Sequence, residues 1–522
     1  MSQIFCMIPC CHESAEEINI TISNFYRKNI DSLSLRNQLT LFIFLDRQPE
    51  EGPDTPTFVA LKQALNLTTN KTKMSYKHGC RVWEGNIEGI PFYFYVKGNN
   101  TLSGKRHSQL IFSKVIEDIA EAQNFILLVD GDTKIGHNSI QLLLDELNKY
   151  PKIGGIEGHL KVKASPKKNL ITILQCIEYN FNFPIIKMAE STLNSCTCLD
   201  GGYALVRYSA WKKILPDYSR IPDENDIISF NQLELGEDHY MTTLLLQNGY
   251  HTSACQTACV ETSVPDTLEA FFTQRKRWTS SFLVNNFELL FSRSLLKLSN
   301  IPFLIQWFFV LYRLALFVMT PALITMFITN TLFIDELVIQ TSSNLLLFYM
   351  FIFGISVMNQ YPETILGWLR LNTVIFSVLC GFSFLIILSK SSFILLVLLP
   401  TIISFMIANI SFIYFPFFIS LAFSLYLLIP IYSVANIDNY SWGSRGIKTV
   451  SISTNTSQSS KTTNSLIKFT KWHKKIFIYG LWFVANLIII NTIQIVSVLA
   501  FVILLFISLL YSLALIYYFQ HK

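Results

Sequence analysis

Phe125-Ile126-Leu127-Leu128-Val129-Asp130-Gly131-Asp132-Thr133 decides the fold. Its apolar run, bounded by polar turns, reads as a buried strand, because a strand covered on both faces needs no polar alternation. The chain leaves it directly into two carboxylates at i and i+2. Working outward, similar apolar runs stand at Leu39–Leu45, Pro91–Val96 and Gly201–Val206, and Gln3–Pro9 carries Ile4, Phe5, Met7 and Ile8. Helical patterns lie at 14–27, 108–122 and 139–149. This alternation predicts an α/β domain with a mostly parallel sheet covered on both faces. Functional residues of such sheets gather at the carboxyl ends of strands, where Asp46, Asp130 and Asp132 fall.

The 522 residues are 51% hydrophobic with a formal net charge of +5, yet the two halves differ. Residues 1–300 hold most of the charge, whereas from 301 to 433 the only Lys or Arg residues are Arg313, Arg370 and Lys390. A water-facing surface of that length needs charge, so the lipid bilayer is the expected solvent of the second half. Apolar stretches long enough to span lie at 304–328, 343–359, 372–389, 392–412, 413–433, 476–493 and 495–518. The loop 434–475 carries Arg445, Lys448, Lys461, Lys468, Lys471, Lys474 and Lys475, which places it in the cytosol. An even number of crossings must then precede it. The stretches 392–412 and 413–433 abut near Pro416 and are read as one crossing plus a re-entrant or interfacial piece, giving about six crossings in all.

The expected organisation is a cytosolic domain at 1–290, transmembrane channel helices at 291–433, a cytosolic loop at 434–475 and a transmembrane hairpin at 476–522. No signal peptide or leading membrane helix is read ahead of Ile4, so the first domain is expected to stay in the cytosol. All ten cysteines except Cys380 precede residue 260 and are expected as reduced thiols. Cys196/Cys198 and Cys255/Cys259 lack the spacing and histidine partners of a zinc site. The basic clusters at 271–278 and 461–475 flank apolar segments, which suits phosphates and a membrane surface and argues against nucleic acid as a partner.

The pair Asp130/Asp132 supplies hard oxygens that suit Mg²⁺ or Mn²⁺ beside a diphosphate, although D-x-D alone is also common in solvated turns. Gly236-Glu237-Asp238-His239 follows about a hundred residues later, ahead of a helical pattern. A single carboxylate there can act as general base on a hydroxyl, or simply cap the helix. Gln274-Arg275-Lys276-Arg277-Trp278 precedes the first membrane stretch. Guanidinium groups grip phosphate oxygens and an indole stacks on a sugar face; a basic, aromatic membrane belt is the plainer reading.

This ordered set resembles the processive inverting glycosyltransferases, namely the cellulose, hyaluronan and chitin synthases. Gly104-Lys105-Arg106-His107-Ser108-Gln109 and Ser441-Trp442-Gly443-Ser444-Arg445 are similar to segments of chitin synthases in particular, as are Thr197-Cys198-Leu199-Asp200-Gly201 and Val264-Pro265-Asp266-Thr267. The chain departs from the pattern at Asp200, usually Pro, at His239, usually Arg, and mildly at Gly131. The large N-terminal extension of many fungal relatives has no counterpart in this sequence.

The resemblance implies a GT-A-like domain that transfers GlcNAc from UDP-GlcNAc to the C4 hydroxyl of a growing chitin chain. Glu237 and Asp238 would be the catalytic pair, with Asp238 as base, and Asp132 the metal ligand. Pro9, Glu13 and Asp46 would contact uridine. Lys105, Arg106, Gln109, Asp130, Gln274 and Arg277 would hold the rest of the donor. Thr197, Cys198, Leu199, Trp278 and Trp442 would line the acceptor path. The implied location is the plasma membrane, and a homodimer is carried as an open expectation. A hyaluronan- or cellulose-type synthase is the enzymatic alternative, and a non-catalytic membrane scaffold or channel the alternative outside enzymes.

Overall fold

The structure is a computed structural model describing residues 2–28, 38–46, 54–67, 73–98, 101–163, 169–222, 226–296, 301–390, 411–439 and 461–492, with Ile402 and Met406. Its strands are β1 Ile4–Cys10, β2 Leu39–Leu45, β3 Lys73–Lys77, β4 Cys80–Ile87, β5 Ile90–Lys97, β6 Phe125–Val129, β7 Lys134–Ile135, β8 Ile153–Val162, β9 Tyr203–Arg207 and β10 His251–Thr262. Among the described residues they form one ten-stranded sheet in the order β3-β4-β5-β2-β1-β6-β9-β8-β10-β7.

β1 pairs in parallel with β2 and β6, as do β2 with β5 and β8 with β10. The remaining pairings are antiparallel, so the sheet is mixed where the sequence predicted a mostly parallel one. The cause is local. His78 and Gly79 both take positive φ, at 53° and 74°, between β3 and β4. A two-residue turn of that kind returns the chain at once and leaves no room for a crossover helix. β9 then enters antiparallel between β6 and β8.

Side chains alternate along β1 and feed two cores. Ile4, Cys6 and Ile8 pack with Ile18, Phe58 and Leu143 on one face, and Phe5 and Met7 with Phe112 and Trp211 on the other. Burial on both faces explains the unbroken apolar runs. From β1 the chain proceeds to β2 on one side and later to β6 on the other, so a crevice opens at their carboxyl ends. Cys10, Asp46 and Asp130 stand at its rim.

Four helices among the described residues are long and apolar enough to cross a membrane: Ile301–Leu332, Glu336–Ser356, Leu366–Ser389 and Phe412–Ala435. Lys475–Asn491 is a shorter apolar helix. Most of 392–412 and all of 495–518 lie outside the described residues, as does Trp442 with its Ser441–Arg445 motif. After the fourth long helix the chain returns to the sheet domain. Asn231 Nδ2 donates to the Ile437 carbonyl at 3.1 Å, and the Lys276 ammonium donates to the Asn439 carbonyl.

Candidate active site

Helix Lys105–Ile116 starts beside the carboxyl ends of β1, β2 and β6. The Gly104 N–H donates to Asp46 Oδ2 at 2.5 Å, and Asp46 also pairs with Lys97 at 2.8 Å. Asp46 is thereby committed to holding the helix start, and both its oxygens face protein groups. Lys105, placed by that turn, reaches across the crevice. Its Nζ lies 2.5 Å from Asp130 Oδ1, 3.1 Å from the Gly201 carbonyl and 3.6 Å from Glu237 Oε1. One lysine thus draws together three motifs that are far apart in sequence.

Helix Glu237–Gln247 presents the second carboxylate pair at its N-terminus, where helix N–H groups favour negative charge. Asp238 accepts from the Gly201 N–H at 3.2 Å and from the His239 N–H at 2.8 Å. Burial pushes its carboxyl up, but Lys105, Arg277 and these two N–H groups outweigh burial and hold it below the usual aspartate value. Glu237 goes the other way, raised by burial and by the neighbouring Asp238 charge. Opposite shifts in two adjacent carboxyls leave Asp238 the better-held anion of the pair. Burial would lower Lys105, yet Asp130, Glu237 and Asp238 together raise it above an ordinary lysine.

The first turn closes the other side of the crevice. A methyl group on Gly131 would meet the Pro9 carbonyl at 3.0 Å and the Glu13 carboxyl carbon at 3.2 Å, so Pro9 and Glu13 flank the Asp130–Asp132 turn. Glu13 itself accepts from the Cys11 N–H at 2.6 Å. Burial, followed by the charges of Glu13, Cys11, Asp132 and Asp130, raises the Cys10 thiol well above its usual value. A concentrated negative field at the end of β6 is what a divalent cation would neutralise.

Several residues expected at the site are turned elsewhere. Arg106 is buried, donates to the Tyr218 and Arg220 carbonyls and pairs with Glu234. Gln109 is buried and accepts the Tyr218 hydroxyl. Successive helix residues diverge by about 100°, so Lys105 and Arg106 cannot face one target, whereas Arg106 and Gln109 share a face. Leu199 lies in the core, and its N–H donates to Thr242 at 2.8 Å. Thr197 bonds Glu190 at 3.0 Å and receives Arg313 at 3.1 Å, which fastens it to the first membrane helix. Cys198 is half-buried.

Helix Leu268–Leu290 contributes Arg277, which donates to the Leu235 carbonyl at 3.1 Å and whose charge lowers both Glu237 and Asp238. Trp278 stacks against the Arg275 guanidinium at 4.3 Å, and Arg275 pairs with Glu178 at 2.8 Å. Gln274 Oε1 is buried without a hydrogen-bond partner among the described residues. His239, where the resembled pattern has Arg, is pushed down to about 4 by burial, so at neutral pH it adds no cation beside the base.

Sequence reasoning missed Glu157, Lys187 and Glu190. Their signal was a charge inside an apolar run, as in Phe183-Pro184-Ile185-Ile186-Lys187-Met188-Ala189-Glu190. It also missed why Gly201 is glycine. A side chain there would meet Asp238 Cβ and Lys105 Nζ, each at 3.0 Å.

A mixed α/β sheet with carboxylates gathered at one crevice, followed by helices long and apolar enough to cross a membrane, defines a class of α/β proteins with a membrane-length helical half. More narrowly, the chain belongs to the chitin synthase family, whose family model matches residues 106–475. Chitin synthase 5 of Cryptococcus neoformans var. grubii is 26% identical over 351 residues, covering 55% of this chain and 18% of that relative. Chitin synthase 4 of Verticillium dahliae is 33% identical over 185 residues, covering 33% of this chain and 15% of that relative. The chain therefore spans under a fifth of the length of these relatives. Among solved structures, it is similar to a mannosyltransferase from Pyrobaculum calidifontis in complex with GDP-Man and Mn²⁺. That match has 12% identity and a TM-score of 0.36, covering 55% of this chain and 63% of that one.

Proposed function

We propose that this chain is a processive, inverting chitin synthase. It transfers GlcNAc from UDP-GlcNAc to the C4 hydroxyl of a growing chitin chain and passes the polymer across the bilayer. The observation that carries the reading is Lys105, which brings Asp130 and Glu237 onto one cation with Asp238 ionised beside them. Asp238 accepts the proton of the acceptor C4 hydroxyl. The freed electron pair attacks C1 of the donor from the face opposite UDP. The bond from C1 to the diphosphate breaks, its electrons leave with UDP, and an α-linked sugar becomes β-linked. Lys105 and Arg277 stabilise the charge that grows on the diphosphate, where electrostatic preorganisation acts most strongly. Trp278 stacks on the acceptor sugar, with its indole held by Arg275.

Mg²⁺ or Mn²⁺ fits this donor set. Asp132, with Asp130 beside it, offers hard oxygens, and no group of three or more His, Cys, Asp or Glu ligands occurs among the described residues. One or two carboxylates, completed by substrate phosphates and water, are the usual holding for Mg²⁺. A cation bound there would neutralise diphosphate charge.

The test uses the full chain in detergent with radiolabelled UDP-GlcNAc as sole sugar donor. Insoluble, chitinase-sensitive polymer is expected, and D238N should lower turnover by about 10²- to 10⁴-fold, the worth of a positioned base. A requirement for UDP-GlcA, or a D238N protein that keeps most of its turnover, would overturn the reading.

A further inference from the structure

Behind the site lies a charged group that the chemistry above does not use. Glu157, in the middle of β8, is fully buried, and Lys187, ending the π-helical turn Asn182–Lys187, is nearly so. Charges in such places persist when they are paired and hydrogen-bonded. Glu157 Oε1 lies 2.9 Å from Lys187 Nζ, and Glu157 Oε2 accepts the Asp200 N–H at 2.8 Å. Lys187 also donates to the Cys198 carbonyl and stands 3.5 Å from the Asp200 carboxylate.

The segment so gripped meets the site on its other side. The Gly201 N–H donates to Asp238, the Gly201 carbonyl accepts from Lys105, and the Gly202 carbonyl accepts from the Asp130 N–H at 3.2 Å. We propose that Glu157, Lys187 and Asp200 form a clamp that positions the Gly201–Gly202 peptide against Asp238, with the Asp200 N–H as its decisive link. This deepens the proposed function and rests on Asp238 being the base. Pro at position 200 would have no N–H to offer Glu157. Burial raises Glu157, and Lys187 and the Asp200 N–H pull against that rise. Removing the N–H leaves an oxygen of Glu157 buried without its donor, which frees the segment to shift. A misplacement of about 1 Å can cost about 10²-fold in rate.

The experiment compares D200P, D200N, E157Q and D238N in the full detergent-solubilised chain. It measures kcat by UDP release, Kd for UDP, and the thermal unfolding midpoint. D200P is expected to lose about 10- to 100-fold in kcat with UDP affinity held within about threefold. D200N keeps the N–H and should recover several-fold over D200P. E157Q sets an amide N–H₂ against Lys187 or Asp200 and should show the same split between kcat and UDP affinity, which covers the case of a D200P protein that does not fold. Equal loss in D200N and D200P, wild-type kcat in D200P or E157Q, or parallel loss of kcat and UDP binding would each overturn the clamp. Failure of the base reading is separate: it shows as an active D238N protein, whatever the order of the residue-200 variants.

Discussion

Replacing Lys105 with Met removes the cation that three carboxylates share. Lys105 Nζ stands 3.6 Å from Glu237 Oε1, with the two side chains 10% and 3% exposed. At an effective dielectric of about 20, charges at that distance attract by about 5 kcal/mol. Arg277 remains, so part of the field survives. Removing one partner of a buried pair costs about 3–5 kcal/mol, because the other charge is left uncompensated. The K105M protein relieves that strain by taking up a proton. Glu237, already raised, rises further, and the restraint that keeps Asp238 low weakens. A base whose pKa rises is lost at higher pH. The acid limb of kcat/KM should therefore move upward by about one to two pH units, each unit being about 1.4 kcal/mol. K105R, which keeps the charge, should leave the limb near its wild-type position. The assay is UDP release from UDP-GlcNAc across a range that extends below the usual aspartate value of about 4, where the wild-type limb falls. A K105M protein with the wild-type acid limb and only a raised KM would refute the reasoning and reduce Lys105 to a phosphate contact.

Arg106→Met should destabilise the chain by about 3–5 kcal/mol, since it takes the guanidinium from Glu234 and from the buried Tyr218 carbonyl, as read from the unfolding midpoint in detergent. An unchanged midpoint with collapsed UDP affinity would instead restore Arg106 to the donor site. Chelation should stop polymer synthesis and added Mn²⁺ or Mg²⁺ restore it, with D132A needing at least about tenfold more metal; synthesis that resists the chelator would exclude the metal role. An impermeant thiol reagent should label an E336C protein from outside intact cells, because the cytosolic placement expected for the first domain puts the far end of Ile301–Leu332 outside. Labelling only after permeabilisation would invert the topology.

The sequence alone determined the alternating elements and the four described helices long and apolar enough to cross a membrane, and it singled out carboxylates that the structure brings to one crevice. Runs such as Leu39–Leu45 and Phe125–Val129 appear as β2 and β6 with the same bounds, because two-sided burial leaves a continuous apolar signature. Asp130, Asp132, Glu237 and Asp238 could be singled out because the D-x-D, Glu-Asp and Gln-x-x-Arg-Trp segments occur together and in order, each being weak alone. The direction of Arg106 was not legible. A basic pair at 105–106 reads alike whether its members face together or apart, and only the packing of Tyr218 and Glu234 against the helix decides it. The antiparallel hairpin was equally hidden, since Lys73–Lys77 is mostly exposed and lacks an apolar run. The clamp at Glu157, Lys187 and Asp200 joins residues 30 and 13 positions apart. Such a link exists only once β8, the π-helical turn and the Cys198–Gly202 segment are stacked, because a buried charge finds its partner in space and not along the chain.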